Sequence, residues 1–455
     1  MIHYNLYTRQ TTGTLMVFVF EGNKAKPIIG ATVTISGNSQ NITLQTNESG
    51  QTQPVTLPAK EPYSNYTVNV SASGYTSVKI DGVQVVPNTT GIQEIEMTPT
   101  GQRWDYRPIE EHTIPPHKLD TPEPEKPIEN PLTKQEPQPR PDGPAIGLLI
   151  PEYIIVHDGA PKDRSAPNYR VKFTDYITKV ACGEIYSNWH KEALTANILC
   201  ITSFTLNRLY TQEYQGFDIT SKIQFDHKFD PKQTVYAEIV EVVDTVFNQY
   251  VKHPDPELKQ PFLTEYRSYE RRCTLGQYKS QELARAGYKH LDILKYFYEP
   301  CYKPIATATS PGVIFQGRPT PPPEKVLQEG ATGSDVREIQ VYLNEISKKY
   351  REIPSLEVDG TYGKGTKKAV ESFQKIFTIP QNGIADFRTW YKITNLYYSI
   401  LEYRDNYESI PHHTALPTNP SSFNPELINQ HHLANQHHHH LNNHRNIPYY
   451  YNYFY

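Results

Sequence analysis

One carboxylate near the middle of the chain stands out because it falls on an apolar helical face. Residues 173–186 (FTDYITKVACGEIY) predict a helix whose apolar face carries Ile177, Val180 and Ala181. Glu184 lies on the same face. Because burial disfavours a charged carboxylate, such a position suits a general acid that works near neutral pH. The alternative is a Glu at a fraying helix end that points to solvent.

A second predicted helix must support this carboxylate. It covers residues 192–209 (EALTANILCITSFTLNRL) and carries an apolar stripe of Leu194, Ile198, Ile201 and Leu209. The stretch from Ala193 to Asn207 contains no charged residue, so the helix is expected at the centre of its domain. Trp189 lies in the connection between the two helices.

Together these segments, from YITKVACGEIYSNW to TSFTLNRLY, resemble the stage II sporulation protein D family of lytic transglycosylases. The resemblance implies that Glu184 is the catalytic acid and that Trp189 belongs to the substrate site. In that family one acid protonates the bond between N-acetylmuramic acid and N-acetylglucosamine, and the muramoyl 6-hydroxyl closes a 1,6-anhydro ring. Neither a cofactor nor the second carboxylate of most glycoside hydrolases is implied.

A later segment, residues 276–298 (GQYKSQELARAGYKHLDILKYFY), is similar to the closing part of the same family. The resemblance assigns Gln277 and Tyr278 to the substrate groove. The glycine-rich motif with a Trp that often precedes the family's last helix is absent here. An alternative is therefore a catalytically inactive protein that only binds peptidoglycan in the spore coat or cortex.

Asp226 and His227, in the phrase FDHKF, stand where some relatives carry polar groups or metal ligands. The resemblance therefore makes both residues candidates for substrate contact. A zinc site would need further ligands that the pattern does not supply, so hydrogen bonding is favoured and no metal is predicted.

The carboxy-terminal region, residues 325–400, predicts a small helical bundle. Its segments SDVREIQVYLNEI, VDGTYGKGTKKAVESFQ and NGIADFRTWYKI resemble the peptidoglycan-binding domain 1 family. Asp359 and Gly360 either shape a tight turn or contact glycan. Tyr362 and Trp390 offer flat apolar rings that could stack on sugars, with a place in the core as the alternative.

The first 100 residues predict a β-sandwich, with strands near residues 15–20, 31–36, 66–72 and 92–97. The segment resembles transthyretin-like, carboxypeptidase regulatory-type domains, a mostly structural family. Prolines recur every few residues in 101–148, which predicts an extended and accessible linker. A mixed α+β catalytic domain is expected over 149–305.

This order of domains resembles the clostridial spore cortex-lytic enzymes. The resemblance implies spore cortex peptidoglycan as partner, a role in germination, and an inactive precursor activated by a protease that cuts in or just after the linker. The amino terminus shows no secretory signal, so location in the spore cortex or coat would follow synthesis in the mother cell.

Composition sets further limits. A formal net charge of -4 over 455 residues gives no indication of a nucleic-acid partner. No apolar run is long enough to predict a membrane span. The four cysteines (Cys182, Cys200, Cys273, Cys301) are expected as buried free thiols, with a disulfide as the alternative. A tail rich in His, Asn and Tyr over 405–455 predicts disorder.

Overall fold

Nine strands form the first part of the computed structural model, which describes residues 11–100, 109–125 and 148–408. They arise where β-branched and aromatic residues alternate with polar ones, because each strand buries one face. They are β1 (Thr12–Glu21), β2 (Lys26–Pro27), β3 (Thr32–Gly37), β4 (Gln40–Gln45), β5 (Val55–Pro58), β6 (Ser64–Ser71), β7 (Ser77–Val85), β8 (Thr90–Glu96) and β9 (Ile109–Thr113). The four strands predicted from sequence are confirmed as β1, β3, β6 and β8.

The central part combines five helices with short strands. Its elements are a 3-10 turn (Lys118–Asp120), β10 (Tyr153–His157), β11 (Asn168–Lys172), α1 (Phe173–Glu184), α2 (Lys191–Thr211), β12 (Ile219–Thr220), β13 (Val235–Tyr236), α3 (Ala237–Val246), β14 (Gln249–Val251), β15 (Tyr266–Arg267), β16 (Leu275–Gly276), α4 (Gln277–Arg285), α5 (His290–Tyr298), β17 (Thr307–Thr309), β18 (Val313–Phe315) and β19 (Arg318–Thr320). The two predicted helices around Glu184 are confirmed as α1 and α2. Nearly every residue of α2 is buried, as its charge-free stretch predicts.

Three helices form the carboxy-terminal module: α6 (Ser334–Ser347), α7 (Lys364–Ile376) and α8 (Phe387–Tyr403). A single π-helical turn, Arg404–Glu408, follows α8. No helix within the described ranges combines the length and the apolar character needed to cross a bilayer. The remainder of the predicted disordered tail lies outside the described residues.

Two five-stranded sheets face each other in the amino-terminal part. One has the order β13-β8-β1-β2 with β5 also on β1, and the other has the order β4-β3-β6-β7-β9. An apolar core between them contains Val17, Val33, Val68, Ile80 and Ile95. The sandwich predicted from sequence is therefore present, although β9 and β13 come from outside residues 1–100.

The sandwich is joined to the central part through a shared sheet. In the pairing of β13 with β8, Val235 lies opposite Ile92 and Tyr236 opposite Gly91. Phe18 and Phe20 of β1 belong to the same apolar core as the central helices. The described residues up to Tyr403 consequently form one compact unit.

The predicted linker is only partly accessible where the structure describes it, at residues 109–125. There β9 pairs in parallel with β7, with Ile109 opposite Ser77. The following residues, 114–125, are called the strap here, and its His117 and Lys118 are each only 2% exposed. The expectation of an accessible segment fails at Ile114, His117 and Lys118, whose side chains are buried, while residues 120–122 are exposed.

The cysteine prediction is half right. Cys182 and Cys200 are buried free thiols, whereas Cys273 and Cys301 form a disulfide with a Cα–Cα distance of 5.9 Å. This bond ties the turn before β16 to the chain after α5. Spacing alone gave no signal for the pairing, because the two residues meet only through the fold.

Replacing both Cys273 and Cys301 by Ser is expected to lower the free energy of unfolding by about 3 kcal/mol. The bond closes a loop with a sequence separation of 28, and it restricts the unfolded chain accordingly. Denaturant unfolding of native and variant protein measures the difference. Reductant should bring the native protein to the stability of the variant; equal stability with and without reductant would contradict the prediction.

Candidate functional site

The Glu184 side chain lies at the end of α1 and is buried, at 1% exposure. Its Oε1 accepts a hydrogen bond from the backbone N–H of Lys228 at 3.0 Å. Its Oε2 lies 3.5 Å from Nε2 of Gln277. The alternative of a solvent-facing Glu at a frayed end is therefore excluded in this state of the molecule.

Gln277, the first residue of α4, connects the carboxylate to its surroundings. Its Nε2 also donates to the backbone carbonyl of Glu184 at 3.3 Å, and its Oε1 accepts from Nζ of Lys118 at 2.7 Å. The ring of Tyr266 forms another wall of the site. Burial, together with the charge of Glu184, raises the pKa of Tyr266 well above its usual range. The carboxylate thus lies in a buried pocket whose walls include the amide of Gln277, the ammonium of Lys118 and the ring of Tyr266.

The strap places a cation directly against this carboxylate. Nζ of Lys118 lies 3.6 Å from Oε2 of Glu184 and 3.5 Å from Oε1 of Glu123. It also lies 5.4 Å from the centre of the Tyr266 ring. A buried ammonium needs such partners, because leaving it unpaired costs several kcal/mol. Sequence reasoning missed Lys118, which occupies the position a substrate would need.

His117 covers the aromatic side of the same site. Its ring stacks on Tyr186 with centroids 4.3 Å apart and an interplanar angle of 20°. Burial and the nearby charge of Lys228 lower the pKa of His117 to about 3, so the ring is neutral around pH 7. The Tyr186 hydroxyl donates to the carboxylate of Asp120 at 2.6 Å. The strap therefore covers both the carboxylate of Glu184 and the aromatic ring of Tyr186.

Two further predicted residues, Trp189 and Tyr278, contact the aromatic side formed by Tyr186 and by each other. The Trp189 ring centre lies 6.1 Å from that of Tyr186 and 5.8 Å from that of Tyr278. Both Trp189 and Tyr278 are partly exposed. The structure therefore places Gln277 in contact with Glu184, whereas Trp189 and Tyr278 form an aromatic group with Tyr186; their part in a substrate site stays a prediction.

Asp226 and His227 have structural partners instead. The Asp226 carboxylate accepts from Nε of Arg208 at 2.9 Å and from the backbone N–H of Thr220 at 2.8 Å. His227 is fully buried, and its Nδ1 lies 3.0 Å from the Tyr176 hydroxyl. Asp226 does border a small cavity that Glu184 also lines. Its oxygens are nevertheless committed to protein groups, so the expectation of glycan contacts by these two residues is corrected.

No metal ligand set emerges in the part of the chain that the structure describes. Within it, no group of three or more His, Cys, Asp or Glu side chains lies close enough to hold an ion.

Asp226→Ala is expected to destabilise the fold by about 3–5 kcal/mol, because it leaves the buried guanidinium of Arg208 without its main counter-charge. Urea unfolding checks this value. The matched control is Glu241→Ala, which removes an exposed ion pair with Lys191 and should cost less than about 1 kcal/mol. Unchanged stability combined with weakened glycan binding would instead make Asp226 a substrate contact.

The candidate residues of the carboxy-terminal module lie in a turn and in the core. Gly360 has a left-handed backbone (φ 75°), and its N–H donates to Oε1 of Gln340 at 2.8 Å. Asp359 accepts from Nε2 of the same Gln at 2.8 Å. These two residues therefore shape the turn, which is one of the two roles expected for them.

The rings of Tyr362 and Trp390 do not face solvent. Tyr362 is fully buried, and its hydroxyl donates to the carbonyl of Gly383 at 3.0 Å. Trp390 is 2% exposed and packs against Phe387 and Phe315. The prediction that they stack on sugar rings is wrong, because both rings fill the apolar interior.

One hydrogen-bond arrangement occurs twice in this module, and it was not predicted from the sequence. The buried Gln374 accepts at Oε1 from the N–H of Gly383 at 2.8 Å and donates from Nε2 to Oδ1 of Asn382 at 2.9 Å. This is the arrangement that Gln340 makes with Asp359 and Gly360. In each case a helix Gln fixes an Asx-Gly turn, and the recurring Gln followed by Asp-Gly or Asn-Gly was the available signal.

Comparison with known proteins identifies this module. Residues 332–393 match the family described as putative peptidoglycan binding domain. Two curated spore cortex-lytic enzymes from Bacillus cereus are each 40% identical to this chain over 65 residues, which is 14% of this chain. The aligned part spans 23% of the length of those relatives. Peptidoglycan is thus the partner indicated for the carboxy-terminal module.

Among solved structures, the SleB N-terminal domain is 36% identical, covering 16% of this chain and 93% of that one, with a TM-score of 0.14. The 5-hydroxyisourate hydrolase of Klebsiella pneumoniae is 22% identical, covering 19% of this chain and 92% of that one, with a TM-score of 0.15. Each similarity concerns a fraction of the chain, and neither describes the pocket around Glu184.

Proposed function

We propose that this chain is a spore cortex-lytic enzyme that cleaves peptidoglycan between N-acetylmuramic acid and N-acetylglucosamine as a lytic transglycosylase. The observation that carries the proposal is the buried carboxylate of Glu184. It is oriented by the Lys228 amide and by Gln277, and it stands beside an aromatic surface. The same chain carries a peptidoglycan-binding module, which would keep this acid close to its substrate.

The two oxygens of Glu184 have different surroundings, and this difference suggests their roles. Oε1 accepts from the backbone N–H of Lys228 at 3.0 Å, whereas Oε2 has only the longer contacts to Gln277 at 3.5 Å and to Lys118 at 3.6 Å, so the reacting proton is assigned to Oε2 once the strap has left. In the proposed reaction the protonated Oε2 gives its proton to the glycosidic oxygen as the bond to the anomeric carbon breaks. The muramoyl 6-hydroxyl then bonds to that carbon, and its proton returns to Glu184. No water is consumed, and the product ends in a 1,6-anhydro ring.

The strap supports the proposal that the chain is a precursor. Lys118 lies against the oxygen that would carry the proton, and His117 lies on the ring of Tyr186. A glycan strand cannot occupy the same space. Activation during germination would then require that the strap leave the pocket, and a protease cut between the sandwich and the central part would be a first step that permits this departure.

The experiment that tests the proposed reaction compares the full chain with a His117→Ala/Lys118→Ala variant on purified spore cortex peptidoglycan. Mass spectrometry of the released muropeptides identifies the new ends. Anhydro-muramic ends made by the opened variant support a lytic transglycosylase. Reducing ends would mean hydrolysis and would overturn the proposed mechanism.

A second candidate is a protein that binds wall material without cutting it. It is favoured by the segment before α4, where Arg271 to Gly276 lacks the glycine-rich motif with a Trp common among the relatives that this region resembles. In that case the opened variant binds sacculi and releases no muropeptide of either kind.

A further inference from the structure

Four aromatic rings form a row that starts at Tyr186, two residues after Glu184, and ends at the surface. The row runs from Tyr186 to Trp189, then to Tyr278 and finally to Tyr269. Successive ring centres are 6.1, 5.8 and 5.4 Å apart. We infer that this row is a saccharide-binding track that holds several sugars of one glycan strand; the inference rests on the proposed function and assigns Tyr186 and Tyr269 to the substrate site.

The strap shows what the inner end of the row accepts. The His117 ring lies nearly parallel to Tyr186, so the face of this tyrosine accommodates a flat group the size of one ring. Strap oxygens also accept from both tyrosine hydroxyls: Asp120 from Tyr186 at 2.6 Å, and the carbonyl of Leu119 from Tyr278 at 3.5 Å. Ring faces and hydroxyl donors side by side match a sugar, which presents an apolar C–H face rimmed by oxygens.

The outer end of the row is open. Tyr269 is 71% exposed, the highest value among the exposed large apolar side chains of the described residues. An aromatic ring held at the surface against another ring adds area for a ligand without contributing to the core. Because Tyr269 is three rings from Tyr186, only a ligand of several sugars reaches it from the pocket.

The test measures binding of β-1,4-linked N-acetylglucosamine oligomers by titration calorimetry. The protein is the full chain with His117→Ala and Lys118→Ala to open the pocket and Glu184→Gln to prevent cleavage. Adding Tyr269→Ala should weaken binding of the hexamer roughly two- to tenfold and leave the dimer unchanged. Tyr269→Phe, which keeps the ring, should restore hexamer binding.

Tyr288→Ala is the matched control. Tyr288 is 43% exposed, and within the described residues its ring contacts none of the four. Unchanged hexamer affinity in Tyr269→Ala, or an equal loss for dimer and hexamer, would overturn the track. So would the absence of any binding by the opened protein. Because the protein carries Glu184→Gln, binding is scored apart from catalysis: intact length-dependent binding with no anhydro product would reject the proposed reaction alone.

Discussion

Glu184→Gln is expected to lower the rate of glycan cleavage by roughly two to four orders of magnitude, the usual contribution of a general acid-base group. The amide retains an oxygen that can accept from the Lys228 N–H, so the side chain keeps its place. It cannot release a proton to the glycosidic oxygen. The substitution therefore removes the proton donor and leaves the packing of the side chain nearly unchanged.

The measurement is the initial rate of muropeptide release from cortex peptidoglycan, with Glu184→Gln made in the opened His117→Ala/Lys118→Ala protein. Glu238→Gln serves as the control, because Glu238 is another partly buried carboxylate, bound to the backbone N–H of Thr90. The control should keep the parent rate. A Glu184→Gln protein of undiminished rate, with the same product ends, would remove Glu184 from the mechanism.

The placement of Glu184 was predictable because periodic burial governs it. α1 carries an apolar pattern that predicts which face turns inward, and Glu184 falls on that face, while the charge-free stretch of α2 predicts burial on nearly all sides. The strand pattern located the sandwich for the same reason. Period-two and period-3.6 patterns record local burial, and they remain readable without knowledge of tertiary contacts.

The strap was not predictable, because its burial depends on distant partners. Lys118 binds Gln277, which lies 159 positions later, and its neighbours are prolines and polar residues with no apolar period. Composition therefore indicated an accessible linker. The enclosure of Glu184 by Lys118 is a tertiary effect that overrides local preference.

In the carboxy-terminal module, the roles of the aromatic residues could not be predicted from the sequence. Its helices were located from their apolar stripes, yet aromatic residues that could serve glycan or core proved to be core. Tyr362 and Trp390 lie inside because α6, α7 and α8 leave an interior that only large side chains fill. Residue type alone does not distinguish a ring that binds sugar from one that packs.

Cutting the chain once between residues 125 and 148 is expected to leave the proposed glycan cleavage inhibited. The strap lies before the cut, and β9 holds its beginning on the sandwich. The sandwich in turn is held by the β8–β13 pairing and by polar contacts with the central part and with the carboxy-terminal module. These contacts include the Tyr236 hydroxyl donating to the Gln84 carbonyl at 3.0 Å and Nε2 of Gln51 donating to the Ile376 carbonyl at 2.7 Å.

The measurement uses a specific protease site inserted in this interval. After complete cleavage the two fragments should elute together in size-exclusion chromatography, and muropeptide release should stay at the level of the uncut protein. Adding His117→Ala and Lys118→Ala to the same cut protein should raise release about tenfold or more. The Lys118 contact to Gln277 is a charged hydrogen bond worth about 1.5–3 kcal/mol, and its loss raises the open fraction of the site.

These outcomes separate two ways of activating a precursor. If cleavage alone gave the full rate, the strap would have left as soon as its covalent connection was broken, and the expectation would be wrong. Persistent inhibition with co-eluting fragments would mean that the cut is not sufficient for activation. Activation would then depend on departure of the strap from the pocket. The Lys118–Glu184 contact, rather than the peptide bond, would then set when the acid becomes available to glycan.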